Sequence, residues 1–227
     1  MAGDPSTVEP PAAKPRDAYG VGRLLALSDG IFAIAMTLLV LNITIPGGSG
    51  AGTNAAALAA LRDRRGPLIS YVISFLVVGL FWTGHHSALR TLRSVTSWTL
   101  YRNLILLFGV CLVPFATAFF NAYSNTVFGN QVFFAMFGLL GILSGLVAPW
   151  PARLRGALRG PAPIRRVAGT VIELTGAAPV AVLGILLAPV LGPPEAPFAW
   201  LLMAPVEMLQ RYLSGPSAGR RRSPRSP

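Results

Sequence analysis

The stretch RLLALSDGIFAIAMTLLVLNITIP, from Arg23 to Pro46, decides the fold. It is apolar over roughly the 20 residues that a helix needs to cross a bilayer. Ser28 and Asp29 nevertheless lie near its start. A carboxylate is costly in lipid and normally faces other polar groups of the protein. The stretch therefore predicts a membrane-spanning helix that meets polar residues of neighbouring helices near one end.

The composition of the whole chain is that of a membrane protein. Of its 227 residues, 53% are hydrophobic and 12% are charged, and this charged share is about half that of an ordinary soluble domain. The net charge is +11. The basic residues lie in the connections between apolar runs, which is the pattern that orients helices in a membrane. The basic positions lack the interleaving with aromatic residues that a nucleic-acid groove would need, so we expect no nucleic-acid partner.

Six apolar segments approach the length of a bilayer crossing. They are 24–45, 67–88, 100–120, 128–149, 167–191 and 196–213. With six crossings, sixteen basic residues fall on one side of the membrane. Three fall on the other side, and these are Arg62, Arg64 and Arg65. The excess predicts that both termini are cytoplasmic.

The fold predicted from these segments is all-α, with six transmembrane helices in a domain that covers residues 23–213. The polar, proline-rich residues 1–22 and the basic tail 214–227 are predicted to be disordered cytoplasmic segments. Between the first two apolar segments, AAALAALRDRR predicts a short surface helix outside the membrane. Gly138, Gly141 and Gly145 are expected to serve helix packing.

Alternating helix directions bring polar residues of three segments to one depth. Asp29 lies near the start of the first segment, His85 and His86 near the end of the second, and Arg102 and Asn103 at the start of the third. Ionisable groups in a bilayer usually pair with one another inside the protein. We predict an interhelical polar clamp in which a histidine or Arg102 is the partner of Asp29.

Other interpretations of Asp29 stay open. Arg23 precedes it by six residues, which places the two side chains about 240° apart on a helix, so they pair poorly. Ser28 or Asp29 could instead favour the helix start as a cap or through the helix dipole. Adjacent histidines point about 100° apart and no third ligand is evident, so no metal is expected. Catalytic motifs are absent from the sequence, so we expect no enzyme and no catalytic residue.

One face of the first segment is regularly apolar. Ile34, Leu38, Leu41 and Ile45 follow i, i+4, i+7 and i+11 spacing, and Thr37 borders the stripe. In a monomer such a stripe is simply a packing face. Around an axis of several copies it becomes a set of apolar rings, and such constrictions can gate a pore by dewetting.

The stretch RLLALSDGIFAIAMTLLVL resembles the signature of the transmembrane protein 175 family of potassium channels. The family motif is Arg-x-x-x-Phe-Ser-Asp, and this chain has Arg23, Ser28 and Asp29 with Leu27 in place of the aromatic residue. YVISFLVVGLFWTGHHSAL and RNLILLFGVCLVPFATAF resemble the family's second and third helices, so the resemblance covers residues 23–120. The substitution at Leu27 removes an aromatic packing contact.

The resemblance implies a homotetrameric potassium-selective cation channel in a bacterial cell membrane, with potassium ions and membrane lipid as partners and no cofactor. Helix 1 would line the pore without a Thr-Val-Gly-Tyr-Gly filter. It implies a constriction formed by Ile34, Leu38 and Leu41, with Thr37 as a polar pore-lining residue. It also implies a structural polar network of Arg23, Ser28, Asp29, His85, His86 and Asn103.

Two other functions stay open at this point. A secondary or proton-coupled transporter would use Asp29 and Glu173 as coupling carboxylates, although transporters usually have internal repeats and broken helices. A membrane scaffold would use the apolar stripe for packing alone.

Overall fold

The computed structural model describes residues 18–45, 52–92, 94–147 and 177–191. The regular elements of this part of the chain are helices. They are α1 (Ala18–Leu38) with a 3₁₀ turn at its end (Leu39–Asn42), α2 (Asn54–Asp63), α3 (Arg65–Leu89), α4 (Ser97–Tyr123), α5 (Val127–Val147) and α6 (Ala177–Leu191).

Four of these helical stretches are long and apolar enough to cross a bilayer: Gly20–Asn42, Arg65–Leu89, Ser97–Tyr123 and Val127–Val147. They correspond to the first four predicted segments, and a shorter apolar helix covers Pro179–Val190 within the fifth. The chain is therefore an all-α, multi-pass membrane protein, as predicted. The sixth segment, Glu173, residues 1–17 and the tail 214–227 lie outside the described residues. The count of six crossings and the cytoplasmic termini stay predictions.

The helix boundaries follow local sequence signals. α4 begins after Thr96, whose hydroxyl accepts a hydrogen bond from the Thr99 backbone N–H at 3.2 Å and so caps the helix. α2 forms where the alanine-rich stretch predicts a short helix. α1 begins at Ala18, within the stretch predicted as an N-terminal tail.

α1 has one buried face, which packs against α3 and α4. The buried residues follow helical three- and four-residue spacing, as a packed face requires, and are Val21, Leu24, Ser28, Phe32, Ala35 and, in the 3₁₀ turn, Leu39. Their neighbours in the core include Val77 and Phe81 of α3 and Leu106 and Val110 of α4. The opposite face of α1 is therefore left without a partner among the described helices of one chain.

α5 packs closely between α4 and α6 through glycines. A Cβ atom added at Gly184 of α6 would lie 2.3 Å from the Phe134 ring, and one added at Gly138 would lie 2.7 Å from the Ala181 Cβ. Small residues let apolar helices approach closely in membranes. Gly138 thus has the packing role that the sequence predicts, and Gly141 is buried as well.

Candidate functional site

Asp29 of α1 contacts α3 near the C-terminal end of α3. Its Oδ1 atom accepts a hydrogen bond from the Trp82 indole Nε1–H at 2.8 Å. The Nδ1 atom of His86 lies 3.2 Å from the same oxygen. The Asp29 and His86 side chains are only partly buried. Two groups of one helix thus converge on the one acidic residue of α1.

Ser28 joins α1 to α4 next to that contact. The Asn103 side-chain Nδ2 donates to Ser28 Oγ at 3.2 Å, and the Ser28 hydroxyl donates to the Leu24 carbonyl at 2.9 Å. Both side chains are fully buried. Because a buried polar atom costs free energy when it lacks a partner, this pair fixes how α1 is turned against α4.

The remaining residues of the predicted network lie around these two contacts. His85 is buried with its ring 5.6 Å from that of Phe32, and neither ring nitrogen has a hydrogen-bond partner among the described residues. Arg102 donates to the Leu146 carbonyl of α5 at 3.1 Å and lies over the Trp98 ring. Arg23 is exposed and forms no ion pair within the described part of the chain.

The structure thus brings together some of the predicted residues and separates others. Of the donors expected for Asp29, His86 contacts it, whereas His85 and Arg102 contact other groups. Trp82 was not foreseen as a partner. Its signal in the sequence is its spacing, because Trp82 precedes His86 by four residues and therefore shares a helix face with it.

Polar side chains also join the other ends of these helices. Asn42, in the 3₁₀ turn, donates from Nδ2 to the Pro114 carbonyl of α4 at 2.9 Å. Between α3 and α4, the hydroxyls of Ser74 and Thr117 are 3.1 Å apart, and Ser70 hydrogen-bonds to Asn121. None of these contacts was predicted from the sequence. The spacing of four in both pairs, 70 with 74 and 117 with 121, is the signal that could have found two of the contacts.

The unpartnered face of α1 carries the predicted apolar stripe. Ile34, Leu38 and Leu41 are 59%, 42% and 68% exposed in the single chain. Thr37 is also exposed, and its hydroxyl donates to the Ile34 carbonyl at 2.8 Å. Leu27, where the family motif has an aromatic residue, is 42% exposed.

The 3₁₀ turn changes how the stripe is aligned. In an α-helix Leu41 would be rotated about 60° away from the direction of Leu38, since three residues turn about 300°. Residues three apart in a 3₁₀ helix are eclipsed. Leu41 lies within the turn that follows Leu38, so the two side chains point along one line.

The site consists of an apolar surface on α1 that polar contacts hold in place. Within the ranges that the structure describes, no three His, Cys, Asp or Glu side chains are grouped as metal ligands. The polar groups join α1 to α3 and α4, while branched apolar side chains face outward. The fold and site define a multi-pass helical membrane protein whose first helix is anchored by polar contacts on one face and, on the other, is not covered by any of the described helices.

One family model matches the first half of the chain. Residues 23–114 match the model of a family described as endosomal/lysosomal potassium channel TMEM175. The match covers most of α1, all of α2 and α3, and the greater part of α4.

The proteins similar to this chain come from bacteria and from animals. A potassium channel of Streptomyces collinus is 36% identical over 125 residues, which cover 55% of this chain and 59% of that protein. A potassium channel of a Chryseobacterium species is 38% identical over 96 residues, which cover 42% of this chain and 46% of that protein. The mouse endosomal/lysosomal proton channel TMEM175 is 34% identical over 108 residues, which cover 45% of this chain and 22% of that protein. The chain spans about half the length of the bacterial relatives it matches.

A solved structure shares the fold. The crystal structure of a lysosomal potassium-selective channel TMEM175 homolog from Chamaesiphon minutus superposes with a TM-score of 0.69. The superposition covers 86% of this chain and 98% of that one, at 22% sequence identity.

Proposed function

We propose that this chain is the subunit of a potassium-selective cation channel in a bacterial cell membrane, with α1 lining the pore. Four copies would surround one axis and direct the outer face of α1 toward it. Ile34, Leu38 and Leu41 would form the constriction, with Thr37 as a polar neighbour. The names of the bacterial relatives, which are potassium channels, support this function, and the proposal requires no cofactor.

The observation that carries the proposal is the asymmetry of α1. Its inner face is buried and hydrogen-bonded, whereas the outer face presents large apolar side chains along its length. Nothing in one chain covers this outer face among the described elements. A set of α1 helices that face an axis turns the stripe into stacked apolar rings, and such rings control ions by excluding water.

The polar residues have a structural task in this proposal. Ser28, Asp29, His86 and Asn103 would fix the rotation of α1 about its own axis, so that the apolar stripe faces the pore. Arg23 belongs to the proposed network by the family motif, and His85 by the resemblance of the second helix. A transporter that couples protons through Asp29 is less favoured, because the relatives are named as channels and the carboxylate is bound to Trp82 and His86.

The experiment that tests this function is ion flux into liposomes that contain the purified full chain. A potassium gradient should drive flux without any cosubstrate, and the same gradient of sodium should drive less. Because several relatives are named proton channels, proton flux is measured in the same vesicles. No flux of any cation through intact, assembled protein would overturn the channel.

A pair of variants then tests which helix lines the pore. Ile34→Asn places an amide on the proposed constriction, and we expect potassium flux to change by about tenfold or more, since wetting an apolar constriction removes its barrier. Ile105→Asn is the matched control, because Ile105 is 53% exposed on α4. Equal responses of the two variants would contradict the assignment of the pore to α1.

A further inference from the structure

Among the described residues, α2 has few contacts that hold it in the protein. It has ten residues, none of them buried, and it packs mainly against the start of α3. Isolated helices shorter than about 12–15 residues are marginal in water even when rich in alanine. Its N-cap, the Thr53 hydroxyl that accepts from the Ala56 N–H at 3.2 Å, supports only the first turn. The helix therefore requires another surface.

The apolar side chains of α2 point away from the protein. Leu58 and Leu61 are 49% and 56% exposed and lie about 60° apart on the helix at 100° per residue. The partly buried residues Ala56 and Ala60 lie on the opposite side. The two leucines are thus presented outward, at the level where α3 begins its course through the membrane.

Three arginines follow these leucines in the chain. Arg62 and Arg65 are exposed, and Arg64 has a buried Nε atom without a partner among the described residues. The ion pair found in the described ranges is that of Asp29 with His86, so these three arginines are not neutralised by salt bridges there. They are also the three basic residues that the orientation count assigns to the side opposite the other sixteen.

The charge distribution selects the partner of this surface. The acidic residues in the described ranges are Asp29, which is already bound, and Asp63, which lies among the arginines themselves. The described surface of a second copy therefore offers these arginines no separate carboxylate. Anionic phospholipid offers phosphate groups next to acyl chains, which together match arginines beside exposed leucines.

We propose that α2 is an interfacial anchor that lies in the bilayer surface, with Leu58 and Leu61 among the acyl chains and Arg62, Arg64 and Arg65 on anionic lipid headgroups. The helix is then neither free in water nor part of the proposed pore. It binds lipid next to the N-terminal end of α3. The proposal is independent of which ion the protein conducts.

The test measures where each face of α2 lies. The full chain is prepared with Cys111→Ala, because the free Cys111 is exposed, and an environment-sensitive fluorophore is attached at Leu58→Cys or Ala59→Cys. Ala59 is exposed as well but lies about 100° round the helix. In vesicles of phosphatidylcholine and phosphatidylglycerol, doxyl-labelled lipid should quench the fluorophore at position 58 more strongly, and aqueous iodide the one at 59.

Charge variants test the headgroup contact with the same probe at position 58. Arg62→Gln with Arg65→Gln should lower the ratio of embedded to free α2 about fivefold per arginine in anionic vesicles. These substitutions should have no such effect in pure phosphatidylcholine. Arg90→Gln, which neutralises an exposed arginine at the other end of α3, is the control and should leave the quenching unchanged.

Two results would overturn the proposal. Equal iodide quenching at positions 58 and 59, with no effect of doxyl lipid, would place α2 in water. Disulfide cross-linking between copies through position 58, with quenching that depends on protein density rather than lipid charge, would assign the surface to a second copy.

Discussion

The two sides of the helical bundle are held together by different physical means. α1, α3 and α4 are joined by side-chain hydrogen bonds at both ends, such as Asp29 with Trp82 and Asn42 with Pro114. α5 and α6 are joined by close approach, with Gly184 against Phe134 and Gly138 against Ala181. Hydrogen bonds specify direction, whereas close packing specifies distance. The side that carries the proposed pore helix is thus the one whose helix rotation is specified.

The largest effect on stability is expected from the close-packed side. Gly184→Ala places a methyl group 2.3 Å from the buried Phe134 ring, which must move, and overpacking typically costs about 1–3 kcal/mol. Thermal unfolding of the purified protein in detergent measures this loss. Gly79→Ala is the control, since a Cβ there meets nothing within 4 Å, and it should be neutral or slightly stabilising. Equal melting temperatures for the two variants would contradict close packing as the force that joins α6.

A smaller effect is expected from the hydrogen-bonded side. Ser28→Ala removes the acceptor of the buried Asn103 amide, and polar contacts between membrane helices contribute about 0.6 kcal/mol on average, with a maximum near 1.7. We expect a loss of that size in thermal unfolding. Thr83→Ala removes an exposed hydroxyl that binds only its own helix, at Gly79, and should cost less. A Thr83→Ala variant as destabilised as Ser28→Ala would show that the contact between α1 and α4 has no special weight.

The smallest effect on stability is expected at the 3₁₀ turn. Asn42→Leu removes one partly buried hydrogen bond to Pro114, so unfolding should change by about 0.6 kcal/mol or less. In the proposed channel, potassium flux should nevertheless change, because the hydrogen bond of Asn42 holds the 3₁₀ turn that carries Leu41. Thr44→Ala, an exposed neighbour, should change neither quantity. An Asn42→Leu variant with wild-type flux would show that this bond does not position the stripe.

Periodicity and hydropathy were sufficient to predict the four long apolar helices. Apolar runs predicted the first four spanning helices, because lipid requires a minimum length that ordinary loops do not have. The contact of Asp29 with His86 was within the prediction because alternate crossings bring the start of one helix beside the end of the next. Sequence alone did not distinguish His86 from His85, which differ by one position but occupy different faces of α3.

Contacts to the backbone were beyond sequence analysis. The acceptor of Asn42 is the carbonyl of Pro114, and every residue carries a carbonyl, so no pattern marks that one. The 3₁₀ turn at Leu39–Asn42 was missed for a similar reason, because it changes the winding of a helix without changing its composition. Trp82 was overlooked because its side chain counts as apolar although it carries a hydrogen-bond donor.

The 3₁₀ turn at the end of α1 also sets the length of the bare stripe. From Ile34 to Leu38 four α-helical residues rise about 6 Å, and from Leu38 to Leu41 three residues in 3₁₀ geometry rise about 6 Å as well. The three side chains therefore form steps of equal height over about 12 Å. In the proposed channel, this length would be a dry passage roughly four water molecules deep, for a water molecule of about 1.4 Å radius. In the proposed channel, an ion would have to shed and regain its outer water across that whole depth rather than at one narrow ring.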